Sequence, residues 1–200
     1  MKKVSNAHFW NKRYLDSNTA WDIGTPTPIL TDYLKKNKKN GRVCVLGCGK
    51  GHDALEFARY DNDVYAVDFA AEALKQLKYS SIQSKLSLNI VKQDIFNLEK
   101  DYAVFFDLVF EYTCFCAIDP DRRKEYFNVM HGILKKGGIL FGIFIPLDKE
   151  VNRNGPPFGV DLDEIEKMTH EKFEIIENKF SDLSIKPRKN REKLIIFKKK

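Results

Sequence analysis

The 200-residue chain has no stretch approaching the roughly 18 to 20 consecutive apolar residues that a membrane span requires. Its first residues, MKKVSNAHFWNKRY, hold nothing like the apolar centre of a signal peptide. A soluble, cytoplasmic protein is expected, with no membrane partner. Cysteine is sparse: Cys44, Cys48, Cys114 and Cys116 are the four, and none stands in a paired CxxC knuckle. That spacing argues against structural zinc, so no metal is expected, and disulfides do not suit a cytosolic chain. Buried free thiols are the expectation, with Cys48 and Cys116 as candidates for reactivity. Internal repeats are absent, and the one biased stretch, KKNKKNGR at 35–42, reads as an exposed helix end stopped by Gly41.

What is present in excess is positive charge, at a formal net +6. Its location matters more than its size. Residues 186–200 carry eight Lys or Arg against one Glu, a net +7, which leaves the other 185 residues at −1. A lysine-rich terminus of this kind reads as a solvated edge strand that discourages edge-to-edge pairing, which argues against nucleic acid as a partner. Length permits one domain over 1–200, with residues 1–40 as a cover and 41–200 as an α/β core, and a monomer is expected.

From residue 43 the pattern alternates. Strand-like runs at Val43 to Leu46, Asp63 to Val67, Leu88 to Val91, Phe106 to Phe110 and Ile139 to Ile145 are separated by helical spacing at His52 to Arg59, Ala70 to Tyr79 and a segment opened by Asp119-Pro120 and closed by Gly137-Gly138. This predicts a mostly parallel sheet with helices on both faces. After a helix near Asp163 to Thr169, the runs Phe173 to Phe180 and Leu194 to Lys199 predict an antiparallel pair at the sheet edge.

The first strand breaks into VCVLGCGKGHD, with glycines at 47, 49 and 51. A Walker-type loop needs a hydroxyl after its lysine, but Lys50 is followed by Gly51. The dinucleotide fingerprint needs its third glycine where His52 stands. Asp53, in the first turn of the following helix, would repel a pyrophosphate. The turn therefore suits a ligand without phosphate. Asp68 ends the second strand, seventeen residues after Gly51, where a carboxylate can accept both hydroxyls of a ribose or cap the next helix. Asp94, with Ile95 beside it, is placed to receive an adenine. A nucleoside without phosphate, on a sheet of this order, points to S-adenosylmethionine as cofactor.

The arrangement resembles the class I methyltransferase fold. More narrowly, Trp10, Tyr14 and Trp21 within FWNKRYLDSNTAWDIGTPTP, together with GCGKGHD, VDFA, QDIF, FEYTCFCAIDPDRRKEY and GPPFGVD, resemble the thiopurine methyltransferase family, nearer its plant-type thiol and halide branch. The resemblance implies that Trp10, Tyr14 and Trp21 cover the cofactor and that Gly47 and Gly49 admit its amino acid portion. It further implies that Asp68 holds the ribose, that Asp94 and Ile95 hold the adenine, and that Tyr112 borders the methyl group. The implied reaction is methyl transfer to a small soft nucleophile: a thiol, hydrosulfide, thiocyanate or halide. Such acceptors need no strong base, leaving Glu111 and Asp22 as candidate bases only. Arg122 and Arg123 are read as facing solvent or the cofactor lid, and Pro156, Pro157 and Phe158 as walling the acceptor pocket. A nucleic-acid methyltransferase and a non-catalytic cofactor-binding module remain alternatives.

Overall fold

A computed structural model describes residues 3–37, 40–151 and 155–200. The chain begins with α1 (Ala7–Leu15), capped by the Asn6 side chain, and α2 (Pro28–Lys36), with proline in its first turn; α2 packs into the sheet core through Ile29, Leu30 and Leu34 rather than joining the expected cover. The core follows as β1 (Arg42–Leu46), α3 (His52–Arg59), β2 (Asp63–Asp68), α4 (Ala71–Ser84), β3 (Asn89–Lys92), α5 (Glu99–Tyr102), β4 (Phe106–Tyr112), α6 (Arg123–Ile133) and β5 (Leu134–Phe144). It ends with α7 (Leu162–Thr169), β6 (Phe173–Lys179) and β7 (Lys193–Lys199). Among the described residues no helix is long and apolar enough to cross a membrane.

All seven strands join one sheet in the order β3-β2-β1-β4-β5-β7-β6. Pairs from β3 through β5 are parallel, while β7 runs antiparallel to both β5 and β6. Alternation along the strands feeds two cores. Val43 and Val45 of β1 pack with α2, α3 and α4 through Leu30, Phe57 and Leu77. Cys44 and Leu46 pack on the opposite face with α6 and α7 through Phe127, Met130 and Ile165. The expected mixed sheet with a terminal antiparallel hairpin is present.

Four boundaries differ from the sequence reading. The sixth helix stops at Ile133, before the glycines, because Leu134 turns extended to pair with Phe106; Gly137 and Gly138 then fall in an irregular stretch within β5. At the other end of that helix Asp119 does cap, but it caps a 3-10 turn over Pro120–Arg122 that runs into α6. The fourth helix continues five residues past Tyr79, with the Ser81 and Ser84 hydroxyls turned back onto carbonyls of their own helix, until Lys85 adopts a left-handed conformation at φ 56°. Gly41 is not a helix stop. It lies at the threshold of β1, where an added Cβ would stand 3.0 Å from Asp107, and α2 has already ended at Lys36; Lys38 and Lys39 of the biased stretch lie outside the described residues.

The basic terminus departs most from the expected solvated edge. Lys199 Nζ donates to the carbonyls of His131 and Leu134 at 2.6 and 2.7 Å, satisfying the end of α6, and Lys200 Nζ donates to His170 O at 2.5 Å. The last carbonyls of a helix lack intrahelical donors, and a cation there is favoured. These lysines fasten the hairpin to the helices beside it.

Candidate active site

Helices leave β1 toward β2 on one side, and the chain returns as β4 on the other, so a crevice opens at the carboxyl ends of these strands. A cavity of about 640 Å³ occupies it, within the usual range for small-molecule sites. One end is lined from the glycine turn, the end of β2 and the segment after β3. The other is lined from the segments that follow β4 and β5 and precede β7. A chamber of about 60 Å³ lies against the glycine turn.

The turn is shaped by backbone that only glycine adopts easily. Gly47 has φ +55° and an added Cβ would meet Cys114 Sγ at 2.8 Å; Gly49 has φ +53° and its Cβ would meet Tyr14 Oη at 2.8 Å. Bare backbone therefore faces the ligand space. Asp68, at the end of β2, accepts the Gly49 N–H on Oδ2 (3.0 Å) and the Ala70 N–H on Oδ1 (2.8 Å). It thus ties the turn to the start of α4, in line with the capping reading, and it also lines the larger cavity. Burial raises its pKa, and a carboxylate has acceptor capacity beyond two N–H bonds. Asp94 caps the 3-10 turn at Ile95–Asn97 by accepting the Phe96 N–H, and both Asp94 and Ile95 line the same end of the cavity.

The cover closes this end with rings. Trp10 and Trp21 meet edge to face at 5.5 Å between centroids, Tyr14 and Trp21 at 5.7 Å, and the Arg13 guanidinium lies 4.8 Å from the Phe9 centroid. The first helix is docked by the Glu72 N–H donating to Asn11 Oδ1 at 2.8 Å. Beyond Trp21, Asp22 lies 3.1 Å from His52 Nε2 and 2.8 Å from Lys50 Nζ, both on the glycine turn. The His52 contact, with Lys50 and the Gly24 N–H, holds the Asp22 carboxyl well below the usual carboxylate range. Asp22 is therefore committed as an ionic tie between cover and turn. Asp53 accepts the Thr27 N–H at 2.7 Å and extends the same seam, and burial pushes it up to about 6.

At the end of β4 the neighbours Glu111 and Tyr112 diverge. Glu111 is fully buried and lines neither cavity; it accepts the N–H groups of Cys114 and Phe115 and the Tyr126 hydroxyl. Burial pushes its pKa up to about 7 despite these donors. It has no path to an acceptor, and what it does is fix the bend at Thr113, where φ is 62°. Tyr112 lines the smaller chamber, and its hydroxyl donates to Glu192 Oε2 at 2.9 Å while accepting from Arg188 Nη1 at 2.5 Å.

The structure thus gathers Trp10, Tyr14, Trp21, Gly47, Asp68, Asp94 and Ile95 around the larger cavity. Tyr112, Gly49 and Asp22 stand around the smaller one, which shares Tyr14, Trp21 and Gly47. Pro156 and Pro157 line the larger cavity, but Phe158 turns inward to the core, its N–H held by Cys116 O at 2.8 Å. Arg122 faces the cavity, its guanidinium 3.4 Å from the Phe96 centroid. Arg123 faces neither solvent nor cavity: fully buried, it donates to Gly159 O and Glu164, fastening the segment after β5 to α6. Both thiols that line the cavity, Cys114 and Cys116, are pushed up by burial, Cys116 to about 12, which disfavours the reactive thiolate. Sequence reasoning missed Arg188 and Arg191. The available signal was topological: because β7 returns antiparallel to β5, the residues just before it arrive at the ligand edge of the sheet.

The fold is that of the class I S-adenosylmethionine-dependent methyltransferases. A solved 1,6-didemethyltoxoflavin-N1-methyltransferase from Burkholderia thailandensis, with bound 1,6-didemethyltoxoflavin and S-adenosylhomocysteine, superimposes with a TM-score of 0.79 at 16% identity, over 97% of this chain and 86% of that one. The model of the thiopurine S-methyltransferase family matches residues 5–200, and the chain belongs to that family. It is 34% identical over 197 residues to a probable thiol methyltransferase 2 of Arabidopsis thaliana, and 31% identical over 194 residues to thiocyanate methyltransferase 1 of the same plant. Each alignment covers 95% of this chain and 84% of the relative. The protein is accordingly an S-adenosylmethionine-dependent methyltransferase.

Proposed function

We propose that the protein methylates a small soft nucleophile, namely a thiol, hydrosulfide, thiocyanate or a halide, at the end of the cavity walled by Pro146, Pro156 and Pro157. The observation that carries this reading is the chemistry of that wall. Beside the prolines, Ile145 and Cys116 the lining includes Asp148, held by Arg191 at 2.6 Å and thereby lowered in pKa, while Glu111 and Glu192 are buried at 0% and 1% exposure and line neither cavity. A carboxylate held low in an ion pair is a poor base, and such a wall suits acceptors that need none. A thiol with pKa near 8.5 is already a few per cent thiolate at neutral pH, and a halide has no proton to lose.

The residues of the nucleoside end fit the cofactor. Asp68 offers its remaining lone pairs to the ribose hydroxyls, Asp94 and Ile95 hold the adenine, and the bare turn at Gly47 and Gly49 admits the amino acid portion. When bound, S-adenosylmethionine supplies an electrophilic methyl group on a positively charged sulfur. Trp10, Tyr14 and Trp21 exclude water there, and aromatic faces attract a cation by about 0.5 to 2 kcal/mol. Tyr112 borders the path of the methyl group. In-line displacement at carbon asks the protein chiefly for alignment, which can supply roughly 7 to 11 kcal/mol. The prolines and the pinned segment at Gly159 provide that alignment on the acceptor side.

The family model and the two plant relatives support this reading, as does the use of Lys199 and Lys200 inside the fold rather than on a nucleic-acid face. The test is methyl transfer from isotope-labelled S-adenosylmethionine to hydrosulfide, an aromatic thiol, thiocyanate, iodide and bulk tRNA, with volatile products read by headspace chromatography. Label in methanethiol, an aryl methyl sulfide, methyl thiocyanate or methyl iodide is expected. Label in RNA alone, or in nothing despite cofactor binding, would overturn the proposal.

A further inference from the structure

Arg122 lines the larger cavity at the end where the segments after β3 and β4 face each other. It is the last residue of the 3-10 turn Pro120–Arg122, and its guanidinium lies 3.4 Å from the centroid of Phe96, in the 3-10 turn after β3. A cation over an aromatic face is attracted to it. Glu125, in the first turn of α6, accepts from Nε at 2.8 Å and from Nη2 at 2.9 Å. Ring and carboxylate together hold a side chain that otherwise samples many rotamers.

Neither contact uses Nη1. Among the described residues it makes no hydrogen bond, although Arg122 stands at the cavity with Asp94 and Ile95. Gln93 lines the same end, but its Nε2 is bonded to the Asn97 carbonyl and to Asp101. Asp94 accepts the Phe96 N–H on Oδ1 and keeps acceptor capacity on its other oxygen. The Glu125 hydrogen bonds, and with them the nearby Asp94 carboxylate, hold the guanidinium above its ordinary value. This end therefore offers a carboxylate acceptor and, close to it, a donor already held in place. Adenine matches the pair: its edge presents an amino group as donor beside ring nitrogens as acceptors, and an oxygen in place of the amino group reverses the pattern.

We propose that Arg122 reads the base of the cofactor, with Nη1 donating to an adenine ring nitrogen while Asp94 accepts the amino group next to it. The inference rests on the placement of the adenine at Asp94 and Ile95 proposed above and deepens it. A carboxylate by itself tests one position of the base. Carboxylate and guanidinium together test two, and a base carrying oxygen there sets an acceptor against the Asp94 carboxylate. Because Phe96 and Glu125 already hold Arg122, little side-chain freedom is lost when the base arrives.

The probes are S-adenosylhomocysteine, its 1-deaza and 7-deaza analogues, in which a ring nitrogen becomes C–H, and S-inosylhomocysteine. Each is titrated by calorimetry into wild type, Arg122→Met and Arg122→Lys. Wild type is expected to bind S-inosylhomocysteine at least about tenfold more weakly than S-adenosylhomocysteine, and one of the deaza analogues at least about fivefold more weakly. In Arg122→Met that deaza penalty should fall below about twofold, while the inosine penalty persists through Asp94. Arg122→Lys keeps the charge without the planar fork and should retain an intermediate penalty. An equal deaza penalty in wild type and Arg122→Met would overturn the proposal. So would parallel weakening of every ligand in Arg122→Met, because the guanidinium would then only brace Phe96. If circular dichroism shows Arg122→Met to be unfolded, Arg122→Lys decides: a deaza penalty below that of wild type supports the proposal, and an unchanged one rejects it. S-inosylhomocysteine that binds wild type as tightly as S-adenosylhomocysteine removes the adenine from Asp94, and the part of Arg122 with it. Discrimination against inosine without any deaza penalty removes Arg122 alone.

Discussion

The two ends of the cavity are built on different principles. The end proposed for the nucleoside stands on the carboxyl ends of β1, β2 and β3, where parallel strands deliver Gly47, Asp68 and Asp94 at fixed heights and backbone N–H groups hold each carboxylate in place. The end proposed for the acceptor is assembled from segments distant in sequence: the turn after β4, the proline-rich stretch after β5 and the approach to β7, joined by Arg123 to Gly159 and by Arg188 to Tyr112 and Trp21. One end is set by strand register and the other by side-chain ties. The difference teaches that a shared cofactor can be held by a constant frame while the acceptor is chosen by loops that are free to vary.

The sharpest way to break that comparison is at the nucleoside end. Asp68→Ala is expected to weaken S-adenosylhomocysteine binding at least tenfold by calorimetry, since hydrogen bonds to a charged group contribute about 1.5 to 3 kcal/mol each. Acceptor KM should stay within about threefold, because each tenfold change requires about 1.4 kcal/mol and no acceptor contact is lost. Unchanged cofactor affinity would remove Asp68 from the ribose.

A smaller effect on catalysis is expected at Glu111, which distinguishes support from chemistry. A general base contributes typically 10² to 10⁴-fold. Glu111→Gln is expected to leave kcat within about fivefold of wild type, well short of that range. Stability should suffer instead. An amide directed at the N–H groups of Cys114 and Phe115 leaves a buried donor unsatisfied, at about 1 to 3 kcal/mol, and a chain of this size loses about 2 to 4 °C of Tm per kcal/mol. A hundredfold fall in kcat with Tm intact would restore Glu111 as a base.

The smallest effect is on the pH dependence of stability. Glu111 and Asp53 are raised to about 7 and about 6, above their unfolded values, so the folded chain takes up these protons first. Stability from these groups therefore rises as pH falls from about 8 toward 6, and the gain is complete only below the unfolded values near 4. His131, whose partly buried imidazole favours the neutral form, opposes this below about 6.5 but is common to both proteins. Wild type should accordingly gain more Tm than Glu111→Gln between pH 8 and pH 6, measured by differential scanning calorimetry. An equal or smaller gain in wild type would contradict the raised Glu111.

Legibility in the sequence follows the same division. The succession of strands and helices, the glycine turn and the terminal antiparallel pair were readable because period and turn chemistry are local properties. The end of α6 was misplaced at Gly137-Gly138 because a tertiary pair, Phe106 with Leu134, recruits the chain into β5 earlier than any local signal indicates. Glu111 and Tyr112 are adjacent in sequence, yet strand alternation sends one into the core and the other to the ligand side. The composition of residues 186–200 suggested a solvated edge. Long-range ties instead bury Arg188 and bond Lys199 to the end of α6, and composition carries no record of partners 68 and 167 positions away.

The division between the two ends is tested most directly by a crystal structure with S-adenosylhomocysteine and iodide, whose anomalous signal marks the acceptor. The account predicts the ribose at Asp68, the adenine against Ile95, and an iodide peak beside Pro156 and Pro157. An iodide peak elsewhere in the cavity, or an adenine placed at the proline wall, would contradict it.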